Sequence, residues 1–229
     1  DDQERESAEY PEFDENLREA FRTETEMFVE STILEDRSLL DLLSANYTFV
    51  NERLARHYGI RNIYGERFRR VTFDADYPRG GLLGHGGLLM VTSHPNRTSP
   101  VLRGKWLLES ILGAPPPEPP ADVPGLPDRG EEGEPESVRH RLERHRENPV
   151  CSSCHAPMDP LGFALENFDA IGSWRDTSET GQPIDASATM PSGAKFDGPA
   201  GLRDVLLDRG DSFARTLTEK LLAYALGRG

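Results

Sequence analysis

Asn148-Pro149-Val150-Cys151-Ser152-Ser153-Cys154-His155 contains both cysteines of this 229-residue chain. Two thiols three positions apart, followed at once by an imidazole, form the c-type haem attachment pattern. On one helical turn each thiol can add to a haem vinyl group, and the adjacent histidine can offer its ring nitrogen to the iron. Covalent attachment keeps a large flat cofactor in place without a large apolar core. That decides the fold reading. The chain is expected to be mainly α, with a loop-rich, small helical cytochrome c-like domain around the motif. A thioredoxin-like dithiol would need a βαβ setting, and none is evident. A structural zinc site would need a fourth ligand beside Cys151, Cys154 and His155, and the other histidines are scattered singly.

The composition agrees with a polar, loop-rich chain. Hydrophobic residues make up 36% and charged residues 29%, and the chain has 21 Gly and 18 Pro, above the average usage of about 7% and 5%. The formal net charge of −14 argues against nucleic acid, whose phosphates call for an excess of Lys and Arg. No apolar run approaches the ~20 residues of a membrane span. The chain begins Asp1-Asp2-Gln3-Glu4, without an initiator Met, so a processed end or an excised piece is expected. No Ser/His/Asp triad, phosphate-cradling loop or paired-carboxylate constellation stands out.

Three segments are expected: a helical packing module over 1–78, the haem-binding domain over 79–176, and a helical C-terminal module over 177–229. In the first, Phe13, Leu17, Phe21 and Phe28 form one apolar stripe on a helix from Glu12 to about Glu35. Ser38 is expected to cap Leu39 to Ala45, and Thr48 to cap Phe49 to His57, with Tyr58-Gly59 closing the helix. Residues 58–80 read as irregular. The glycine-interrupted run Gly81 to Met90 predicts a backbone that approaches something flat or bulky. Val101 to Leu112 reads as a helix with Pro100 in its first turn. A linker covers 114–136, with polyproline character from Ala114 to Pro120 and an acidic, glycine-rich run from Asp128 to Glu136. Ser137 is expected to cap a charged helix to about Asn148, which Pro149 stops. Pro183 to Phe196 has strand-like pieces, and helices follow over Pro199 to Asp208 and Ser212 to Leu226.

Asp159-Pro160-Leu161-Gly162-Phe163-Ala164-Leu165-Glu166-Asn167-Phe168-Asp169 follows the motif. Upstream stand Arg97-Thr98-Ser99-Pro100-Val101-Leu102-Arg103-Gly104-Lys105-Trp106 and the polyproline tract, and near the start Asp36-Arg37-Ser38, Tyr47-Thr48-Phe49-Val50-Asn51-Glu52 and His57-Tyr58-Gly59-Ile60. Together these segments resemble the planctomycete-type cytochrome c-like multidomain proteins over nearly the whole chain. The resemblance implies a longer, exported parent protein, often with a further haem-binding segment, built from domains of unknown function. It names a cofactor, one covalent haem c, and an extracytoplasmic setting in a bacterial periplasm or on the cell surface. It names no substrate.

His155 is the expected proximal iron ligand. His85 is the leading expectation for the second, because its Gly-rich apolar run would let the backbone approach a porphyrin; in the resembling family Met is a frequent alternative at this position. Met190, Met90, His94 and an open iron stay in contention. His140 and His145 read as a solvated face, and His57 as a helix end whose dipole favours a cation. Arg97, Arg103, Lys105, Trp174 and Arg175 are candidates to hold the propionates, since arginine forks pair with carboxylates. By analogy with cytochromes, Pro160 is expected to place a carbonyl against the unligated nitrogen of His155. The expected function is single-electron transfer with an unidentified redox partner protein. The alternatives are a peroxidase-like haem oxidoreductase and an assembly subunit of an extracytoplasmic redox complex.

Overall fold

The computed structural model describes residues 10–74, 77–118, 137–178 and 181–227, and it is mainly α. The first helix, α1 (Glu15–Leu34), is capped by Asp14, whose carboxylate accepts the Leu17 N–H at 2.7 Å. Its stripe of Phe13, Leu17, Phe21 and Phe28 is buried, as one apolar face on an acidic helix requires. Next come the short α2 (Asp41–Ser44), strand β1 (Tyr47–Val50) and α3 (Glu52–Tyr58). Neither Ser38 nor Thr48 is a helix cap. The Ser38 hydroxyl accepts the Leu40 N–H at 3.2 Å ahead of α2.

The Thr48 difference has a clear cause. Tyr47-Thr48-Phe49-Val50 is aromatic and β-branched throughout, which suits a pleated, buried strand. It pairs antiparallel with β2 (Arg69–Thr72), Tyr47 opposite Thr72. Asn51 takes over the cap, its side chain accepting the Leu54 N–H at 2.9 Å. Gly59 ends the helix with a φ of 74°, the left-handed conformation that glycine supplies cheaply. Strand β2 lies in a stretch expected to be irregular; it is largely exposed, so no apolar alternation announces it.

A 3-10 turn (Leu82–Gly84) leads into α4 (Gly86–Val91). The glycines there do meet something flat, and it is the ring of Phe21 on α1: a Cβ on Gly86 would overlap it. Helix α5 (Pro100–Trp106) carries Pro at its first turn and runs into a π turn, Leu107–Ile111. The expected linker beyond Glu118, including the acidic run to Glu136, lies outside the described residues. Ser137 caps α6 (Val138–His145) as expected. Pro149 then opens α7 (Pro149–Phe163), which carries the cysteine motif. A hairpin of β3 (Ser187–Thr189) and β4 (Lys195–Asp197), with Ala188 opposite Phe196, precedes α8 (Gly198–Leu207) and α9 (Gly210–Leu226).

Phe28, Leu83, Leu107, Leu161 and Phe213 belong to one buried cluster, so residues from all three sequence segments share a core. A second cluster joins Leu17, Phe21 and Leu54 to Met90 and Ile171. Among the described residues no helix is long and apolar enough to cross a membrane.

Candidate functional site

Helix α7 starts on a well-formed cap: the Asn148 side chain accepts the Val150 N–H at 3.0 Å, and Pro149 fills the first position. It continues through Pro157 and Pro160, each of which removes an intrahelical hydrogen bond. Tertiary packing compensates. Helix α5 crosses α7 backbone to backbone: a Cβ on Gly104 would overlap the Met158 carbonyl, and one on Gly162 would overlap that of Pro100. Two glycines therefore clamp the motif helix against α5.

Cys151 and Cys154 lie three residues apart on α7, both free thiols and both partly exposed, so they share one helix face. The Ser153 hydroxyl donates to the Val150 carbonyl at 2.7 Å. His155 points its Nδ1 at the Asp159 carboxyl, 2.9 Å from Oδ1. This corrects the expected Pro160 carbonyl partner. Pro160 is inside the helix, where its carbonyl is directed along the axis, whereas the side chain four residues after His155 falls on the same face. Asp159 is 0% exposed, its Oδ2 has no hydrogen-bond partner among the described residues, and the Nε of Arg146 stands 3.7 Å from it. His145, expected on a solvated face, lies edge-on to His155 with ring centroids 4.9 Å apart. Burial first, and then His155, lower its pKa.

This donor set fits a covalent haem. Two accessible thiols stand on one turn beside an imidazole whose Nδ1 is engaged, which leaves Nε2 for a ligand bond. Among the described residues, no three His, Cys, Asp or Glu side chains are grouped to hold a bare metal ion.

The other expected contributors are distributed unevenly. Arg103 departs from a propionate role. It is 1% exposed, and its guanidinium donates to the carbonyls of Leu165, Phe168 and Asp169 at 2.6–2.8 Å and to Ser93 Oγ at 3.2 Å. Burial pulls its pKa down to about 10, against the Glu166 charge that raises it. Its two terminal nitrogens tie α5 to the chain that follows α7. Arg175 is similarly engaged by the Glu166 carbonyl at 3.1 Å and Thr98 Oγ1 at 3.1 Å. Lys105 pairs with Glu109 at 3.7 Å. Trp174 remains 40% exposed, its Nε1 donating to Asp176 Oδ1 at 3.0 Å. Arg97 is partly exposed, and its backbone carbonyl accepts the His94 N–H at 3.0 Å.

His85 is 2% exposed, with Nδ1 3.1 Å from Thr25 Oγ1 and its ring 4.8 Å from that of Phe28. Burial, reinforced by Arg79, depresses its pKa to about 3. Among the described residues its Nε2 has no hydrogen-bond partner. Those contacts are with α1. Met190 directly follows β3, a strand packed on α7, and it shares the main core with Met158. His57 serves the fold, with Nε2 2.8 Å from the Ile171 carbonyl.

Sequence reasoning missed Asp159, although its spacing from His155 was readable. It also missed a buried cluster beside His85. There Glu24 accepts bonds from Thr48 and Tyr58, and the Arg79 guanidinium stacks on the Tyr58 ring at 3.7 Å.

Three family models match in succession: Protein of unknown function (DUF1592) over residues 1–60, Protein of unknown function (DUF1588) over 79–178, and Protein of unknown function (DUF1585) over 192–229. These are planctomycete cytochrome-like domains of unknown function. The second of these cytochrome-like domains contains α4, α5, α6 and α7 and thus the whole cysteine site. No curated protein and no solved structure matches the chain.

Proposed function

We propose that Cys151 and Cys154 would carry one c-type haem, that His155 would hold its iron, and that the chain passes single electrons as part of a longer extracytoplasmic protein. The observation that carries this reading is the geometry of α7: paired, accessible thiols with an adjacent imidazole oriented by Asp159. The membership of the surrounding segment in a cytochrome-like domain supports it. When bound, the haem supplies a one-electron ferric/ferrous couple. The protein's own residues do the rest. The thiols fix the macrocycle to one helix face, the Gly104 and Gly162 crossing keeps that helix rigid, and Asp159 holds the His155 ring in one tautomer. Of the expected propionate contacts, Lys105 and Trp174 are exposed and Arg97 is partly exposed.

The chain made with a cytochrome c maturation system should gain the mass of one haem and keep its colour through acid–acetone extraction. Cys151→Ala with Cys154→Ala should lose both. Colour that passes into the solvent from the unmutated protein would refute the covalent site. His85→Ala tests His85 as the expected second iron ligand. A change from low-spin to high-spin spectrum assigns it, and a methionine–iron charge-transfer band in the unmutated protein points to Met190 or Met90 instead. A high-spin unmutated protein that reacts with peroxide would replace the electron carrier by an oxidoreductase. Fractionation that finds the native full-length protein only in the cytosol would contradict the extracytoplasmic assignment.

A further inference from the structure

We propose that Asp159 acts through His155 to hold the iron of the bound haem in its ferric state. The inference rests on the haem reading above and assigns a positioning residue within it. His155 Nδ1 lies 2.9 Å from Asp159 Oδ1. With the carboxyl accepting, the ring proton sits on Nδ1 and the lone pair on Nε2, the tautomer a metal ligand needs. A carboxylate acceptor also makes the imidazole a stronger electron donor than a backbone carbonyl would. A stronger axial donor, with negative charge close behind it, favours ferric over ferrous iron and lowers the potential.

The surroundings of Asp159 are built for this arrangement. The residue is fully buried. The carbonyl of its neighbour Met158 lies under Gly104, and Gly162 lies under Pro100, so the backbone on both sides is pinned by α5. Its second oxygen has no hydrogen bond among the described residues, and Arg146 Nε at 3.7 Å is beyond hydrogen-bond distance. A buried carboxyl that leaves an acceptor unused is costly as mere packing. Among the described residues its side chain has one hydrogen-bond partner, the imidazole. Arg146 sets the opposite bias, a cation that offsets part of the charge behind His155.

The electron balance is simple. One electron from an external reductant converts ferric to ferrous iron; no bond in the protein forms or breaks, and the Nδ1 proton stays between His155 and Asp159.

The test is a potentiometric titration of the haem-loaded chain with dithionite and ferricyanide. Asp159→Asn keeps the size and an acceptor oxygen but removes the charge. It should move the ferric/ferrous equilibrium about tenfold towards ferrous, an upward shift of about 59 mV for a one-electron couple. Arg146→Gln leaves His155 untouched and should shift the potential downward by less. The opposed signs separate tuning from packing: a purely structural Asp159 would lower thermal stability and leave both potentials at the wild-type value. That result, with one haem still attached per chain, overturns the inference and leaves the haem reading standing. Absence of covalent haem from the unmutated chain overturns the haem reading itself. If Asp159→Asn does not fold, an unchanged or raised potential in Arg146→Gln is sufficient to overturn the proposal, and a lowered one supports it.

Discussion

Replacing Glu24 by glutamine should remove one component of the chain's pH-dependent stability. Glu24 sits on α1, 0% exposed, and accepts hydrogen bonds from Thr48 Oγ1 and Tyr58 OH, both at 2.6 Å. Arg79 is the nearby cation, but its guanidinium is committed to the Gly84 carbonyl at 2.7 Å and to the carbonyl of Gly172. Desolvation outweighs the bonds and pushes the Glu24 carboxyl from 4.5 up to about 7. Between those values the native state keeps a proton that the unfolded chain gives up. The stabilisation from this group is therefore fully present below pH 4.5 and is lost as pH rises through 7. At roughly 1.4 kcal/mol per pH unit, the swing is on the order of 3 kcal/mol. His57 has the opposite sign. Burial lowers its pKa from 6.5 to about 4, so its contribution is lost as pH falls below 6.5. His85 behaves in the same way, so the raw pH profile mixes both directions and only a difference isolates Glu24. Urea unfolding of wild type and Glu24→Gln at intervals from about pH 4.5 to about pH 8 supplies that difference. Wild type should gain about 3 kcal/mol relative to the variant on going from the alkaline to the acid end. A difference that stays constant across the range would refute the reasoning, because the carboxyl would then titrate alike in the folded and unfolded chains.

Two further substitutions probe the frame around α7. Gly104→Ala inserts a methyl group where α5 touches the Met158 carbonyl. Overpacking of this kind costs about 1–3 kcal/mol, and calorimetry should show a lowered melting temperature; an unchanged one would mean that α5 and α7 can separate freely. Arg103→Lys keeps the charge but cannot span the carbonyls of Leu165, Phe168 and Asp169. Each buried acceptor left without its donor costs about 1–3 kcal/mol, so the urea midpoint should fall; an unchanged midpoint would show that lysine satisfies all three.

What could be read from the sequence was whatever a few neighbouring residues decide. The cysteine motif, the proline at the start of α5, the Ser137 cap and the left-handed Gly59 all depend on residues within one turn of each other, and the mainly α class follows from them. The differences arise where the deciding partner is distant. Thr48 looks like a cap until its hydroxyl is seen to donate, from strand β1, to Glu24 on α1. The Gly86 stretch signals a flat neighbour, but only the fold identifies that neighbour as the Phe21 ring. Arg103 has the chemistry of a propionate clamp, and three backbone carbonyls more than sixty residues away take up its donors.

Asp159 belongs to a different group, because its relation to His155 is local: four residues along a helix is one turn, and the two side chains share a face. The sequence hides that relation, because Pro157 and Pro160 are helix breakers and an ended helix has no such face. The crossing at Gly104 and Gly162 is what lets α7 continue through both prolines. The long-range contact between α5 and α7 thus creates the local geometry on which the His155 site depends. A substitution that loosens the crossing should disturb the imidazole–carboxyl pair before it unfolds the chain.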